Sequence, residues 1–155
     1  MPLVIFFVPD PARGVAEMRR VVDNGGTVAA YAWDMRGGGF PYHALRTELR
    51  RLDIAFPVPP SLDASRLEVM QALWAGAGLC EIETCTIEVC RRFGDFEDFW
   101  TTALAAPGVG AVLAGLAHGD RTTVRARLRA QMHEQADGTI VQSGYANAVS
   151  GRVWG

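Results

Sequence analysis

Two short stretches of this chain set aromatic rings beside a carboxylate, Phe6-Phe7-Val8-Pro9-Asp10 and Tyr31-Ala32-Trp33-Asp34. Rings with one acid suit a chemistry that depends on alignment in a dry pocket more than on a strong base or a metal. The other reactive side chains make no comparable set. Cys80, Cys85 and Cys90 recur every five residues, which matches no usual zinc spacing and leaves one unpaired under any disulfide scheme. On a strand, a five-residue step turns successive side chains to opposite faces, so the three cannot converge on one ion without a bulge. His43, His118 and His133 lie in separate segments without ligand spacing, and no Ser or Cys stands in a nucleophile elbow. We expect no metal site and read the cysteines as reduced and structural.

The elements around the two stretches must bring them together. Leu3 to Val8 is continuously apolar, as expected for a strand covered on both faces in a parallel sheet. Asp10 can cap a helix and Pro11 fits its first turn. That helix would set Val15, Met18, Val21 and Val22 on one side and Arg13, Glu17 and Arg20 on the other. Asp23-Asn24-Gly25-Gly26 supplies the stop and turn, and Thr27 to Trp33 reads as a second buried strand ending at Asp34. A short helical link between two buried strands implies a right-handed parallel crossover. The carboxyl ends of both strands would then open on one sheet edge, where open α/β sheets bind ligands, with Phe7 to Asp10 and Tyr31 to Asp34 as pocket walls.

Residues 35–64, rich in Gly and Pro, read as a cover over the strand ends with a helix around Tyr42 to Leu52. Ser65 with Glu68 makes a capping-box pattern before a helix whose Leu67, Met70, Leu73, Trp74 and Ala77 form an apolar stripe. Glu81 to Val89 reads as a strand, and Gly94-Asp95 leads into a helix through Phe96, Phe99, Trp100 and Leu104. The loop Ala106-Pro107-Gly108-Val109-Gly110-Ala111 fails as a dinucleotide fingerprint, because no strand feeds it and Leu113 replaces the third glycine. Asp120 can cap a helix with Val124, Leu128 and Met132 on one side and Arg121, Arg125 and Arg129 on a solvent-facing other side. Thr139 to Val149 is the last strand.

At 155 residues the chain suits a single domain, 1–155, of a size that buries about 68–70% of its unfolded surface. Fifteen basic against seventeen acidic residues, a net charge of −2, give no reason to expect nucleic acid or anionic membrane as partner. The apolar run Leu3 to Val8 is too short to span a bilayer and no basic segment precedes it, so the expected setting is cytoplasmic.

Methyl transfer from a sulfonium needs what the two stretches offer, and the residues carry a resemblance to match. The run Phe7-Val8-Pro9-Asp10-Pro11-Ala12-Arg13 through Val22, then Gly25-Gly26-Thr27 through Trp33-Asp34, resembles the stretch from the fourth to the fifth strand of small-molecule class I S-adenosylmethionine-dependent methyltransferases. Ala75 to Leu79, Phe93 to Trp100 and Asp137-Gly138-Thr139-Ile140 resemble later parts of that family. The resemblance implies the carboxyl-terminal half of a Rossmann-like α/β fold, with two parallel strands, a C-terminal antiparallel hairpin of Glu81–Val89 and Thr139–Val149, and helices on the faces. It further implies that Phe7 and Val8 approach S-adenosylmethionine while Tyr31, Trp33 and Asp34 face a small-molecule substrate. The family's glycine-rich cofactor loop and ribose-binding acid would precede Leu3. The expectation is therefore a methyltransferase-family chain that does not act alone, or a binding module, with a second copy or a partner chain pairing along residues 3–8.

Overall fold

In the computed structural model, which describes residues 1–106 and 108–154, the chain divides into two compact units. The first comprises Met1–Phe40, Val58–Val89 and Gly144–Gly155, the second Pro41–Pro57 and Cys90–Ser143.

A three-stranded sheet organises the first unit. Strand β1 (Thr27–Trp33) pairs antiparallel with β3 (Ile140–Arg152), in register from Thr27 opposite Arg152 to Trp33 opposite Ala146. β3 lies between β1 and β2 (Cys80–Phe93). Cross-strand side-chain contacts, Glu81 with Arg152 at 3.3 Å and Thr86 with Asn147 at 3.2 Å, run in antiparallel order. The strands thus form an antiparallel sheet, and the expected parallel pair is absent from it. β2 and β3 are neighbours as expected, but three helices, described below, separate them in sequence, and β3 extends three residues beyond Val149.

The reason lies in the first segment. Leu3 to Val8 is no strand: Ile5–Phe7 forms a 3-10 turn, with Ile5 and Phe6 buried and Phe7 exposed. Continuous apolarity does not distinguish a buried strand from a buried helical turn. Only the start of the chain lies along β1, through a parallel bridge of Pro2 to Tyr31, with Leu3 N donating to Tyr31 O at 2.7 Å and Tyr31 N to Met1 O at 3.2 Å. Leu3 then takes φ +53°, which turns the backbone off the strand edge.

Helix α1 (Pro11–Arg20) starts as expected, with the Asp10 carboxylate accepting from Arg13 N at 3.0 Å and Pro11 in the first turn. Val15 is fully buried, whereas Val21, expected on the apolar side, is 67% exposed just past the helix end. Helix α3 (Leu67–Gly76) forms without the capping box. Ser65 lies inside a 3-10 turn, Leu62–Ser65, and its hydroxyl donates to Leu62 O, while Glu68 pairs with Arg66. The core gathers Ile5, Phe6, Val15, Val28, Met70 and Trp74. The Trp74 indole is fully buried and donates to Val28 O at 2.9 Å. Gly151 pairs with Val28 across the ladder, and a Cβ there would stand 2.9 Å from Trp74 Cδ1.

The second unit holds α2 (His43–Arg51), α4 (Phe96–Ala105), α5 (Val109–Ala114) and α6 (His118–Gln131). Asp95 caps α4 by accepting from Asp98 N at 2.8 Å. Phe99 packs edge-on against Phe93 with ring centres 5.3 Å apart, and Phe96 stacks on Trp100 at 6.2 Å. The stretch Ala106 to Ala111, expected as a small-residue loop, runs into α5 from Val109, and Pro107 within it lies outside the described residues. Asp120 sits in the first turn of α6, which starts at His118 without a side-chain cap. Glu48 on α2 is fully buried; its Oε1 accepts from Arg51 Nη1 and from Gln131 Nε2 on α6, both at 2.6 Å.

Two substitutions separate the parts of the Trp74 contact. Gly151→Ala forces a methyl against the indole and is expected to cost about 1–3 kcal/mol, the range for overpacking a filled core. Trp74→Phe removes the indole hydrogen bond to Val28 O, which keeps its place in the ladder, and opens a void, and urea unfolding should show a loss of about 1–3 kcal/mol.

Candidate functional site

At the carboxyl end of β1 three pieces of backbone meet: the strand end, the 3-10 turn Ile5–Phe7 and the turn Leu62–Ser65. Ser61 ties the two turns together, its amide donating to Phe6 O at 3.1 Å and its hydroxyl to Val8 O at 2.7 Å. Asn147, only 5% exposed, holds the same region from β3. Its amide donates to Ser65 O at 2.9 Å and its carbonyl accepts from Thr86 Oγ1. Ser65 Oγ in turn accepts from Met35 N at 3.4 Å. Sequence reasoning missed Asn147 and gave Ser65 the role of a helix cap. The available signal was a lone amide at an inward position in Ala146-Asn147-Ala148-Val149, where burial demands a partner.

The residues expected to form the site are distributed among three roles. Tyr31 is 41% exposed and lines an open cleft of about 780 Å³ on the sheet face of the first unit, together with Met1, Pro2, Ala29, Cys85 and Ala148. Trp33 is half-buried and packs on the core. Asp34 serves the turn that follows β1: its Oδ1 accepts from Gly37 N at 2.7 Å, its amide donates to Tyr145 O and its carbonyl accepts from Gly39 N. Gly39 is required there, since a Cβ would run into Tyr145 O. Phe7 is 58% exposed, ring against ring with Phe6 at 4.6 Å, and Val8 is half-buried. Tyr31 is thus the only one of the five among the residues lining the cleft.

A sulfonium nucleoside is the cofactor that the sequence resemblance implies. Phe7 offers an exposed ring that could cover one side of such a group. The polar atoms around it are already engaged: Ser61 occupies the Val8 carbonyl, Asp10 caps α1 and Asp34 caps its own turn. These residues make one wall and do not amount to a cofactor site by themselves. The three cysteines stand exposed and unbridged on β2, and among the described residues no group of three His, Cys, Asp or Glu could hold a metal ion. Among those residues no helix is long and apolar enough to cross a membrane.

No family model matches the chain, and no curated protein matches it. Among solved structures it is similar to a proposed methyltransferase of Bacillus halodurans C-125, with a TM-score of 0.52 and 13% identity over 99% of this chain and 68% of that one. The likeness is one of fold alone; this chain is mixed α/β, with a three-stranded antiparallel sheet and helices.

The strand-end turn is held by an ion pair whose contribution depends on pH. Arg36 Nε lies 2.9 Å from Asp63 Oδ1, and this hydrogen bond, aided by the charges of Arg36 and Arg66, keeps the Asp63 carboxyl below its ordinary value of 3.8. A carboxylate depressed in the folded state adds stability above its ordinary pKa and loses it as pH falls through the lowered value. Asp63→Asn is therefore expected to lower the urea midpoint at pH 7, with the difference from the parent closing progressively below about pH 4.

Proposed function

We propose that this chain is the acceptor-side portion of a class I S-adenosylmethionine-dependent methyltransferase acting on a small molecule, corresponding to the carboxyl-terminal half of that fold. The observation that carries the reading is the likeness of fold along 99% of the chain to a proposed methyltransferase, joined to the sequence resemblance at Phe7–Asp34. The bound cofactor would supply an electrophilic methyl group. Of the residues described here, Tyr31 and the cleft around it would receive the acceptor and the exposed Phe7 ring would supply one wall toward the cofactor, while Ser61, Ser65 and Asn147 hold the turns beside Phe7 and the end of β1.

This reading predicts weak, localised cofactor binding. Titration of the 15N-labelled chain with S-adenosylmethionine should shift the amides of Phe7 and Val8 with a dissociation constant near the millimolar range, about −4 kcal/mol. Absence of any shift at these amides would sink the assignment. Binding at micromolar strength, about −8 kcal/mol, would show that Phe7 and its neighbours are more than one wall.

A second reading, a non-catalytic module for self-association, is favoured by the outward face of the sheet, where Ala29, Tyr31, Cys85, Ile87 and Ala148 form an apolar band with Tyr31 and Ile87 both 41% exposed. With no strand over residues 3–8, pairing of copies would run through this face. Sedimentation should then show a concentration-dependent dimer that Tyr31→Asp dissociates, and a monomer at all concentrations would refute it.

A further inference from the structure

The second unit holds a groove that neither reading uses. It lies between α4 and α6, has a volume of about 450 Å³, and is lined by Glu97, Trp100 and Leu104 from α4 and His118, Arg121 and Arg125 from α6. In each helix these positions recur at three and four residues and so share one face. The groove combines an apolar wall with a cationic one. Trp100, only 7% exposed, is fixed by its stack on Phe96, and Leu104 continues the apolar side.

The charges do not cancel. Glu97 is the carboxylate that lines the groove, and it already pairs with both Arg125 and Arg129, the latter at 3.6 Å; Arg129 also reaches Glu134 at 4.0 Å. The arginines expected to be merely solvated are therefore partly committed, and Arg125 and Arg129 also lie over the Phe96 ring. Arg121 differs. Among the described residues its guanidinium has neither an ion pair nor a hydrogen bond, although it is half-buried at the groove. A guanidinium offers its donors as a planar fork that matches an oxyanion, so the unpaired Arg121 at the groove is the donor set open to a ligand.

We infer that the α4–α6 groove binds a small aromatic carboxylate, its oxyanion on Arg121 and Arg125 and its ring against Trp100 and Leu104. One guanidinium without a partner calls for one negative charge, which a carboxylate supplies and a phosphate monoester exceeds. A cleft of this size suits a ligand of one or two rings. The site stands independently of the methyltransferase reading, being built wholly from side chains of α4 and α6.

The test is titration of the full 15N-labelled chain with 2-naphthoate, acetate and inorganic phosphate, reading the indole N–H of Trp100 and the amide of Arg121. Naphthoate should shift both signals saturably with a dissociation constant below about 1 mM, and acetate and phosphate should bind about tenfold more weakly or less. Arg121→Gln removes no existing pairing, so it should leave the spectrum elsewhere unchanged and weaken naphthoate about tenfold. Glu97→Gln removes the competing carboxylate and should strengthen binding, the opposite of what a lost structural contact gives. The proposal is overturned if naphthoate causes no saturable shift of Trp100 up to about 10 mM, if Arg121→Gln binds as the parent does, or if phosphate binds more tightly than naphthoate.

Discussion

The Trp74 indole reaches the Val28 carbonyl at 2.9 Å because residue 151, opposite Val28, has no side chain. That contact sets the depth at which α3 lies on the sheet, and through it the position of the turn Leu62–Ser65 immediately before α3. The turn carries Ser65, which Asn147 holds from the neighbouring strand. A single close approach, permitted by one glycine, thus propagates to the end of β1 where Tyr31, Trp33 and Asp34 emerge. Burying an indole without a partner for its N–H would be costly, so the tryptophan position is fixed by polarity as well as by volume.

Much of the local structure was legible in the residues. Asp10 with Pro11, the Gly25-Gly26 turn, β1 itself and the Asp95 start of α4 all follow from capping and turn chemistry that acts within a few residues. The failures share a different cause. Leu3 to Val8 was misread because apolar continuity reports burial and not backbone geometry, and the parallel crossover fell with it. Nothing near β1 in sequence announces that its partner is the last strand of the chain, since register between distant strands is set by packing. Ser65 and Glu68 look like a capping box, yet the hydroxyl is taken by the turn before it, a competition that spacing alone does not reveal.

The candidate site was legible as a neighbourhood and not as a constellation. Tyr31 reaches the cleft because burial alternates along β1 and puts it on the outward face, an alternation that the all-apolar run Val28 to Trp33 does not announce. Asp34 carries the residue type expected of a substrate contact but is spent on closing its own turn, as Asp commonly is after a strand. Phe7 is exposed because Ile5 and Phe6 take the two buried places in a turn too tight to bury a third. The groove between α4 and α6 was hidden because the arginine stripe, read alone, looks like a solvated face; only the distribution of Glu97 between two arginines shows which one is left over.

The pairing of residue 27 with residue 152 also governs when this protein can fold. A chain emerging from the ribosome at about 5–20 residues per second presents β1 early and supplies its antiparallel neighbour almost last. The same delay applies to Glu48, whose amide partner is Gln131. Both compact units therefore close on contacts of high sequence separation, which slows folding and prolongs the exposure of apolar segments such as Val28 to Ala32. Vectorial synthesis makes residues 146–152 the step that commits the sheet, so a nascent chain stalled before Gly144 would have no ladder for β1.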